Sequence, residues 1–355
     1  MKKKRHSLFL GITTRFVLLL AAGLLVVSYL SSYFNPATAW FMTLFGLLYI
    51  PLLLLNALLL VWSLVRGSRA FVIPLLALIP SLFLVGKYYQ FDTPDPPQER
   101  GVRIISYNVG RFAMSPDGLS VQAATDSVTR FLRAQEADII CLQEVSAETA
   151  AELRPFLAAS FPGYDIEYYV YQGKSSCYGN VTLSRFPALD KGKIVFGQSA
   201  NLALFSDYDI KGTRLRIYNC HFQSYNISLS GIFKSLKGDY REAWHSAEQK
   251  MKNSLTLRPS QVDQVMTHIE DCPVAAFVVG DFNDNPMSYT YRRLIHGRHD
   301  TFVEAGQGFG ATYAGLRPFL RIDYILCPKH LQVLSHTVAR KGFSDHYPII
   351  SDIKL

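Results

Sequence analysis

Acidic and amide side chains follow an apolar run directly in the stretch AFVVGDFNDNP, residues 276–286. The apolar run predicts a buried strand, because β-branched residues fill it and breakers bound it at both ends. Asp281 can serve as a base or a metal ligand, and Asn283 offers a neutral donor suited to a phosphate. Asp and Asn are also ordinary turn formers, so a plain polar turn is the alternative.

The same order, an apolar strand followed by an acid, an amide or a histidine, recurs along the chain. Counting both ends of the apolar strands, eight such polar residues stand out: Asn108, Glu144, His221, Asp281, Asn283, Asp323, Asp345 and His346. Acids and amides favour a hard cation, Mg²⁺ in the first place and Mn²⁺ in the second. Histidines beside carboxylates can stabilise a phosphoryl oxyanion and manage protons. Since no Ser, Cys or Lys stands out as a nucleophile, the set predicts metal-assisted attack of water on a phosphoester.

Seven short motifs in this order make the chain resemble the endonuclease/exonuclease/phosphatase superfamily, as a membrane-anchored, bacterial-type member. The motifs are YN at 107–108, LQEV at 142–145, LSRFP at 183–187, CHF at 220–222, GDFND at 280–284, RIDYIL at 321–326 and SDHYPI at 344–349. The resemblance extends from residue 102 to the C terminus. It implies an α/β fold, the DNase I-like four-layer sandwich, in which two mixed sheets pack face to face between outer helices.

The resemblance also implies roles for the residues in the motifs. Glu144 matches the principal Mg²⁺ ligand, and Asn108 assists it. Asp281 matches the acid that orients or deprotonates the attacking water. Asn283 matches the amide that holds the phosphate, and His221 matches the histidine that donates to a phosphoryl oxygen.

The last two motifs supply a second histidine and its partners. Asp323 matches the carboxylate that orients His346, and Asp345 matches an acid on the metal or water side. Arg111 and Asn180 are weaker candidates for contacts with the substrate phosphate. Simpler roles stay open for three residues: a satisfied buried carboxylate for Asp323, a turn residue for Asn108, and a helix-start acid for Glu144.

Two positions depart from the abasic-site endonucleases within the superfamily. Those enzymes carry an acid where this chain has Gly110, and a tyrosine where it has His221. Both differences point away from DNA repair and toward the nuclease, phosphatase and phospholipase branches.

The first ninety residues hold three hydrophobic spans, at about 16–34, 39–65 and 70–89. A bilayer crossing needs about 20 apolar residues, so the sequence predicts three transmembrane helices. Lys and Arg cluster before the first span and at Arg66 and Arg69. The positive-inside rule then predicts an integral protein of the plasma (inner) membrane with its catalytic domain outside the cytoplasm.

A proline-rich linker, residues 91–100, separates this anchor from a catalytic domain predicted at residues 101–355. Residues 1–100 hold nine Lys and Arg and three Asp and Glu, so only +2 of the net charge of +8 belongs to the remaining 255 residues. That domain lacks the strong positive field of proteins that grip long nucleic acids.

Together these observations predict a membrane-anchored, Mg²⁺-dependent phosphoester hydrolase. Its predicted partners are the lipid bilayer and a phosphoester substrate, which is a lipid headgroup, a small phosphate ester or a nucleic acid. One alternative is an extracytoplasmic endonuclease that acts on DNA or RNA. An alternative of another class is a non-catalytic membrane scaffold that retains the fold.

Overall fold

The computed structural model describes residues 8–92, 99–197, 199–225, 240–316 and 318–355. Residues 93–98 of the predicted linker lie outside this part of the chain, so the linker stays a prediction.

The helices fall into an N-terminal helical region and a set that covers the sheets. In the described residues they are α1 (Leu8–Leu30), α2 (Pro36–Leu47), α3 (Tyr49–Val65), α4 (Val72–Leu78), α5 (Val121–Ala134), α6 (Ala150–Ser160), α7 (Tyr240–Glu270), α8 (Tyr289–Leu294) and α9 (Thr301–Ala305). Several begin at a capping side chain. Asn35 accepts a hydrogen bond from Ala37 N at the start of α2, and Ser120 accepts one from Ala123 N at the start of α5.

The strands form two six-stranded sheets and one small ladder. They are β1 (Tyr89–Gln90), β2 (Val102–Asn108), β3 (Ile139–Ala147), β4 (Asp165–Gln172), β5 (Cys177–Ser184), β6 (Asp190–Val195), β7 (Leu202–Ile210), β8 (Thr213–His221), β9 (Ala275–Asp281), β10 (Arg298–Asp300), β11 (Gly308–Phe309), β12 (Asp323–Pro328), β13 (Gln332–Val338) and β14 (Ile349–Lys354). The first sheet has the order β13-β14-β2-β3-β5-β4, and the second has the order β10-β12-β9-β8-β7-β6.

Both large sheets are mixed, as predicted. β2 pairs with β3 in parallel, β8 pairs with β9 in parallel, and the other pairs are antiparallel. The inner faces meet in a cluster that joins Ile104 and Ile139 of the first sheet to Ile217, Phe277 and Ile325 of the second.

Helices close the outer faces. α5 and α6 bury Val128 and Leu153 against the first sheet, and α7 buries Val262 against the second. These layers confirm the α/β architecture with two packed mixed sheets.

The prediction of three membrane-spanning helices is wrong. Among the described residues, the stretch Gly11–Tyr33, which comprises most of α1 and the 3-10 turn after it, is the one helix long and apolar enough to cross a membrane. The second predicted span divides into α2 and α3, which are bent by 46° at Leu48 and add a crossing only if the pair is counted as one span. The third breaks into α4 and three short 3-10 turns, Arg69–Phe71, Ile79–Phe83 and Val85–Lys87. Pro80, just after α4, lacks the N–H that would continue the helix.

The helical region packs on the sheet domain. Leu25, Tyr49 and Tyr88 bury a shared cluster around Met287, which follows β9 and belongs to the sheet domain. β1 adds a two-residue antiparallel ladder to β11. The helices therefore contact the domain close to the loop that follows β9.

Candidate active site

The carboxyl ends of the two parallel strand pairs meet at one edge of the sandwich, where ligand sites form in α/β folds. Asn108 ends β2, while His221 and Asp281 end β8 and β9 as register partners. Asp281 also faces Asp323, the first residue of the antiparallel neighbour β12. Strand pairing thus brings side chains that are distant in sequence to one place.

Glu144 reaches this edge through an irregularity in β3. The register with β5 shifts between Leu142 and Val145, and Glu144 adopts a φ of 54°. A non-glycine residue in the left-handed region is strained, and such strain is concentrated at functional sites. The bulge leaves the Glu144 side chain 23% exposed, so its carboxylate faces the solvent-accessible edge.

Asn108 links the acids of the two sheets. Its amide nitrogen donates to Asp281 Oδ2 at 2.9 Å and lies 3.4 Å from Glu144 Oε1. Its amide oxygen accepts the backbone N–H of Gly110 at 3.0 Å. In this arrangement Asn108 orients two carboxylates, and a metal contact through its oxygen would be shared with Gly110.

His346 and Asp323 form a buried pair. His346 Nδ1 lies 3.0 Å from Asp323 Oδ2, and the opposite nitrogen, Nε2, lies 3.8 Å from Asp281 Oδ2. Burial alone would lower the pKa of His346, but the negative charges of Asp323 and Asp281 raise it to about 10. The imidazole is therefore a cation at neutral pH and neutralises part of the acidic cluster.

The acids differ in how readily they ionise. Burial, followed by the charge of Asp323, raises the pKa of Asp281 to about 6. Burial would also raise the pKa of Glu144, but the nearby histidines His221 and His346 outweigh it, so that pKa lies below its usual value. Burial raises the pKa of Asp345 as well. Glu144 is thus the acid whose ionised form these surroundings favour.

Two places in the site could hold a metal ion. Asp281, Asp323 and His346 each offer an atom within 4.8 Å of the others. Glu144 lies beside this set and offers an ionised carboxylate at the solvent-accessible edge. Mg²⁺ prefers oxygen ligands and keeps several waters, which fits Glu144 better than a buried set that includes an imidazole.

His221 shows that the centre of the site accepts a further group. Its Nε2 is buried and has no hydrogen-bond partner in the described part of the chain. Glu144 Oε1 lies 3.6 Å away and Asp281 Oδ2 lies 3.9 Å away, both beyond hydrogen-bond distance. A buried polar nitrogen normally has a partner, so this one leaves room for a polar group of a ligand.

Asn283 lies in a strained turn next to Asp281. Its φ is 51°, its backbone N–H donates to Asp281 Oδ1 at 2.8 Å, and its side-chain amide donates to Phe222 O at 2.9 Å. The amide nitrogen carries two protons, so one remains for a substrate oxygen. The side chain is almost buried, which fixes its direction.

Arg111 and Asn180, the two weaker candidates, lie in different settings. Arg111 is stacked 4.1 Å above the ring of Tyr178, with its Nε 3.4 Å from Glu144 Oε2, at the rim of a cavity of about 280 Å³. Asn180 is buried and donates its amide to the carbonyls of Leu202 and Asn219. Its amide therefore joins the two sheets, and a contact with the substrate phosphate stays a prediction.

Sequence reasoning missed the polar residues that support the site. Ser344 Oγ donates to Asn108 O at 2.9 Å and accepts the N–H of His346. Deeper in the sandwich, Gln143 Nε2 donates to Asn219 Oδ1 at 2.8 Å across the two sheets. The signal was available, because Gln143 precedes Glu144 and Asn219 stands two residues before His221 in otherwise apolar strands.

Similarity to known proteins identifies the family of the chain. The model of the endonuclease/exonuclease/phosphatase family matches residues 105–346, which is more than half of the chain. The chain belongs to this family. It is accordingly a metal-dependent phosphoester hydrolase, and the alternative of a non-catalytic scaffold is wrong.

The N-terminal region matches a separate family model, described as a domain of unknown function (DUF8431), over residues 7–88. No curated protein matches the chain.

Solved structures share the fold of this family member at low sequence identity. An endonuclease/exonuclease/phosphatase from Bacteroides vulgatus is 19% identical, with a TM-score of 0.54 over 72% of this chain and 100% of the other. The corresponding protein from Beutenbergia cavernae is 19% identical, with a TM-score of 0.53 over 72% of each chain. The human Nocturnin catalytic domain with bound sulfate is 17% identical, with a TM-score of 0.53 over 73% of this chain and 96% of the other.

Replacing Asp323 with Asn tests the buried pair. The change preserves the shape of the side chain but removes the charge that keeps His346 protonated. We expect the kcat of phosphoester hydrolysis to fall by about 100-fold or more, because a misprotonated histidine cannot support the transition state. Asp263→Asn, at a half-buried acid on α7 that pairs with Arg293, is the control and should retain the wild-type kcat. An active Asp323→Asn enzyme would show that the pair is merely structural.

Proposed function

We propose that this protein is a membrane-tethered, Mg²⁺-dependent phosphoesterase in which water attacks a small or lipid-linked phosphoester. The observation that carries the proposal is the convergence of Glu144, His221, Asp281 and His346 at one sheet edge, around a buried His221 nitrogen without a partner. Oxygen donors for a hard cation and nitrogen donors for a phosphoryl group then lie within one site.

In this proposal Glu144 is the principal Mg²⁺ ligand, and Asn108 and Asp345 assist it. The ion would supply Lewis-acid polarisation of the phosphoryl group. The donor set fits, because Glu144 is ionised and faces the cavity, while Asn108 holds its carboxylate in place.

The other residues manage the water and the phosphate. Asp281, whose pKa of about 6 makes it a stronger base than an ordinary carboxylate, accepts a proton from the attacking water. Asn283 holds the phosphate through its free amide proton, and His221 Nε2 donates to a phosphoryl oxygen. His346, kept cationic by Asp323, stabilises the negative charge that develops.

The cavity beside the site favours a small polar substrate over a long nucleic acid. Neutral polar side chains, among them Ser199, Asn201 and Gln223, form much of its lining. Among the described residues of the lining, Arg111 is the only permanent cation, and it is already paired with Glu144. A nuclease that grips a duplex needs several phosphate contacts from Lys and Arg.

The apolar exterior of the helical region supports a tether in the bilayer. Large side chains are exposed along α1, α3 and the segment after α4, including Phe16 at 64%, Leu58 at 69% and Phe83 at 83%. Soluble monomers rarely expose contiguous apolar surface on this scale, and a bilayer would cover it. With α1 as the crossing helix and Lys2 to Arg5 in the cytoplasm, the catalytic domain lies outside the plasma (inner) membrane.

Glu144→Gln tests the catalytic proposal. The change removes the charge of the ligand at almost no cost in volume, so we expect hydrolysis of bis(p-nitrophenyl) phosphate to fall at least about 100-fold in Mg²⁺. Glu148→Gln, an exposed neighbour, should behave as wild type. EDTA should abolish the wild-type activity, and undiminished turnover in EDTA would rule out the proposal.

Comparing substrates on the wild-type protein distinguishes the possible substrate classes. We expect turnover of bis(p-nitrophenyl) phosphate or of phosphatidylglycerol vesicles to exceed cleavage of plasmid DNA. Efficient cleavage of plasmid DNA, with vesicles left intact, would instead support the extracytoplasmic endonuclease.

A reporter fused after Leu355 tests the orientation. Alkaline phosphatase, which is active only outside the cytoplasm, should be active there, and a fluorescent protein that matures only in the cytoplasm should be dark. This expectation rests on the basic cluster before α1, which by the positive-inside rule keeps the N terminus in the cytoplasm. The reciprocal result, a fluorescent fusion without phosphatase activity, would place the domain in the cytoplasm.

A further inference from the structure

The loop that carries Asp281 and Asn283 continues into direct contact with the helical region. Asn285 is buried, and its Nδ2 donates to Gly46 O in the last turn of α2 at 2.9 Å. Two residues later, Met287 O accepts the hydroxyl of Ser31 at 2.8 Å. Only one residue, Asp284, separates Asn283 from the first of these contacts.

The contact leaves no space for a side chain at Gly46. A Cβ atom added at Gly46 would lie 2.6 Å from Ser31 Oγ and 2.8 Å from Met287 O, both closer than real Cβ atoms approach. The Met287 side chain is itself buried among Leu25 and Tyr49 of the helices. The position of the loop is therefore coupled to the packing of α1, α2 and α3.

The other side of the loop is fixed as firmly. Arg258 Nη1 lies 2.9 Å from Asp284 Oδ2, Tyr225 OH donates to Asp284 Oδ1 at 2.8 Å, and Tyr324 OH donates to Asp284 O at 2.9 Å. Directly before these contacts in the chain, the backbone of Asn283 keeps its left-handed conformation. A strained residue persists only where its surroundings over-determine it.

We infer that the helical region is a positioning element of the active site: Gly46 and Ser31 hold the loop at Asn285 and Met287, and thereby fix the amide of Asn283. This inference rests on the proposed function, because it assigns the phosphate contact to Asn283. The helices then do more than tether the domain. A disturbance of their packing is transmitted to the phosphate contact over a few residues of one loop.

Gly46→Ala in the full-length protein tests the inference, with Gly23→Ala as the matched control. Both replace a helical glycine, but nothing lies within 4 Å of a Cβ at Gly23. We expect Gly46→Ala to lower the kcat for bis(p-nitrophenyl) phosphate by about 10- to 100-fold, the effect of a misplacement of about 1 Å. Gly23→Ala should retain the wild-type kcat.

The Mg²⁺ dependence of activity distinguishes a displaced Asn283 from a general loosening of the whole active site. Glu144 belongs to the other sheet and does not touch the loop contact, so the Mg²⁺ concentration for half-maximal activity should stay at the wild-type value in Gly46→Ala. A wild-type kcat, or a fall in kcat accompanied by weaker Mg²⁺ dependence, would overturn the inference.

Asn285→Asp provides a second variant in case Gly46→Ala does not fold. It retains the oxygen that accepts the N–H of Met287 but loses the amide donor to Gly46. We expect the same selective loss of kcat, and a wild-type kcat would overturn the inference.

Hydrogen–deuterium exchange tests the inference without turnover. The backbone N–H groups of residues 281–285 and 287 should exchange faster in Gly46→Ala than in Gly23→Ala, and equal rates would overturn the inference. If the wild-type protein instead shows no Mg²⁺-dependent hydrolysis, the proposed function fails, and this exchange result still decides whether the helices hold the loop.

Discussion

Two carboxylates lie side by side in the interior of this protein, and the site depends on the protonated imidazole of His346, which offsets their negative charge. Asp281 and Asp323 are register partners on adjacent strands, both almost fully buried. A buried charge needs a partner, and His346, in the segment before β14, places its Nδ1 3.0 Å from Asp323 Oδ2. Because that segment leads into the first sheet while both carboxylates belong to the second, the charge balance of the site requires the packed sandwich.

The residues at strand ends could be predicted from the sequence, because polar side chains at the ends of apolar strands recur in the order of the family's motifs. Asp281 ends β9 and Asp323 begins β12, and the pairing of the two strands brings them together. The bulge at Glu144 could not be predicted, since a positive φ in a strand leaves no compositional trace. The sequence also could not predict that the side chain of Asn180 points toward the second sheet, because this depends on which face of β5 meets that sheet. Hydropathy marked the apolar spans but not the bend at Leu48, for which the sequence signal is Pro51, because a proline lacks the N–H that would continue the helix from α2.

The helical region and the loop after β9 share a surface, and this changes how the N-terminal part of the chain is understood. A tether needs only an apolar exterior and a linker. Here Met287 is buried inside the helical cluster, and Gly46 leaves no room for even one methyl group. Such tight packing is typical of an interior rather than of a loose anchor. In our account, binding at the membrane and catalysis at the sheet edge are linked through the loop after β9.

The position of the metal ion tests the central claim most directly. A crystal of the full-length protein soaked in Mn²⁺, with the ion located by its anomalous scattering, distinguishes the two sets of candidate ligands. Our account predicts that the ion binds the carboxylate of Glu144 and leaves His346 hydrogen-bonded to Asp323. An ion held by Asp281, Asp323 and His346, without contact to Glu144, would contradict it.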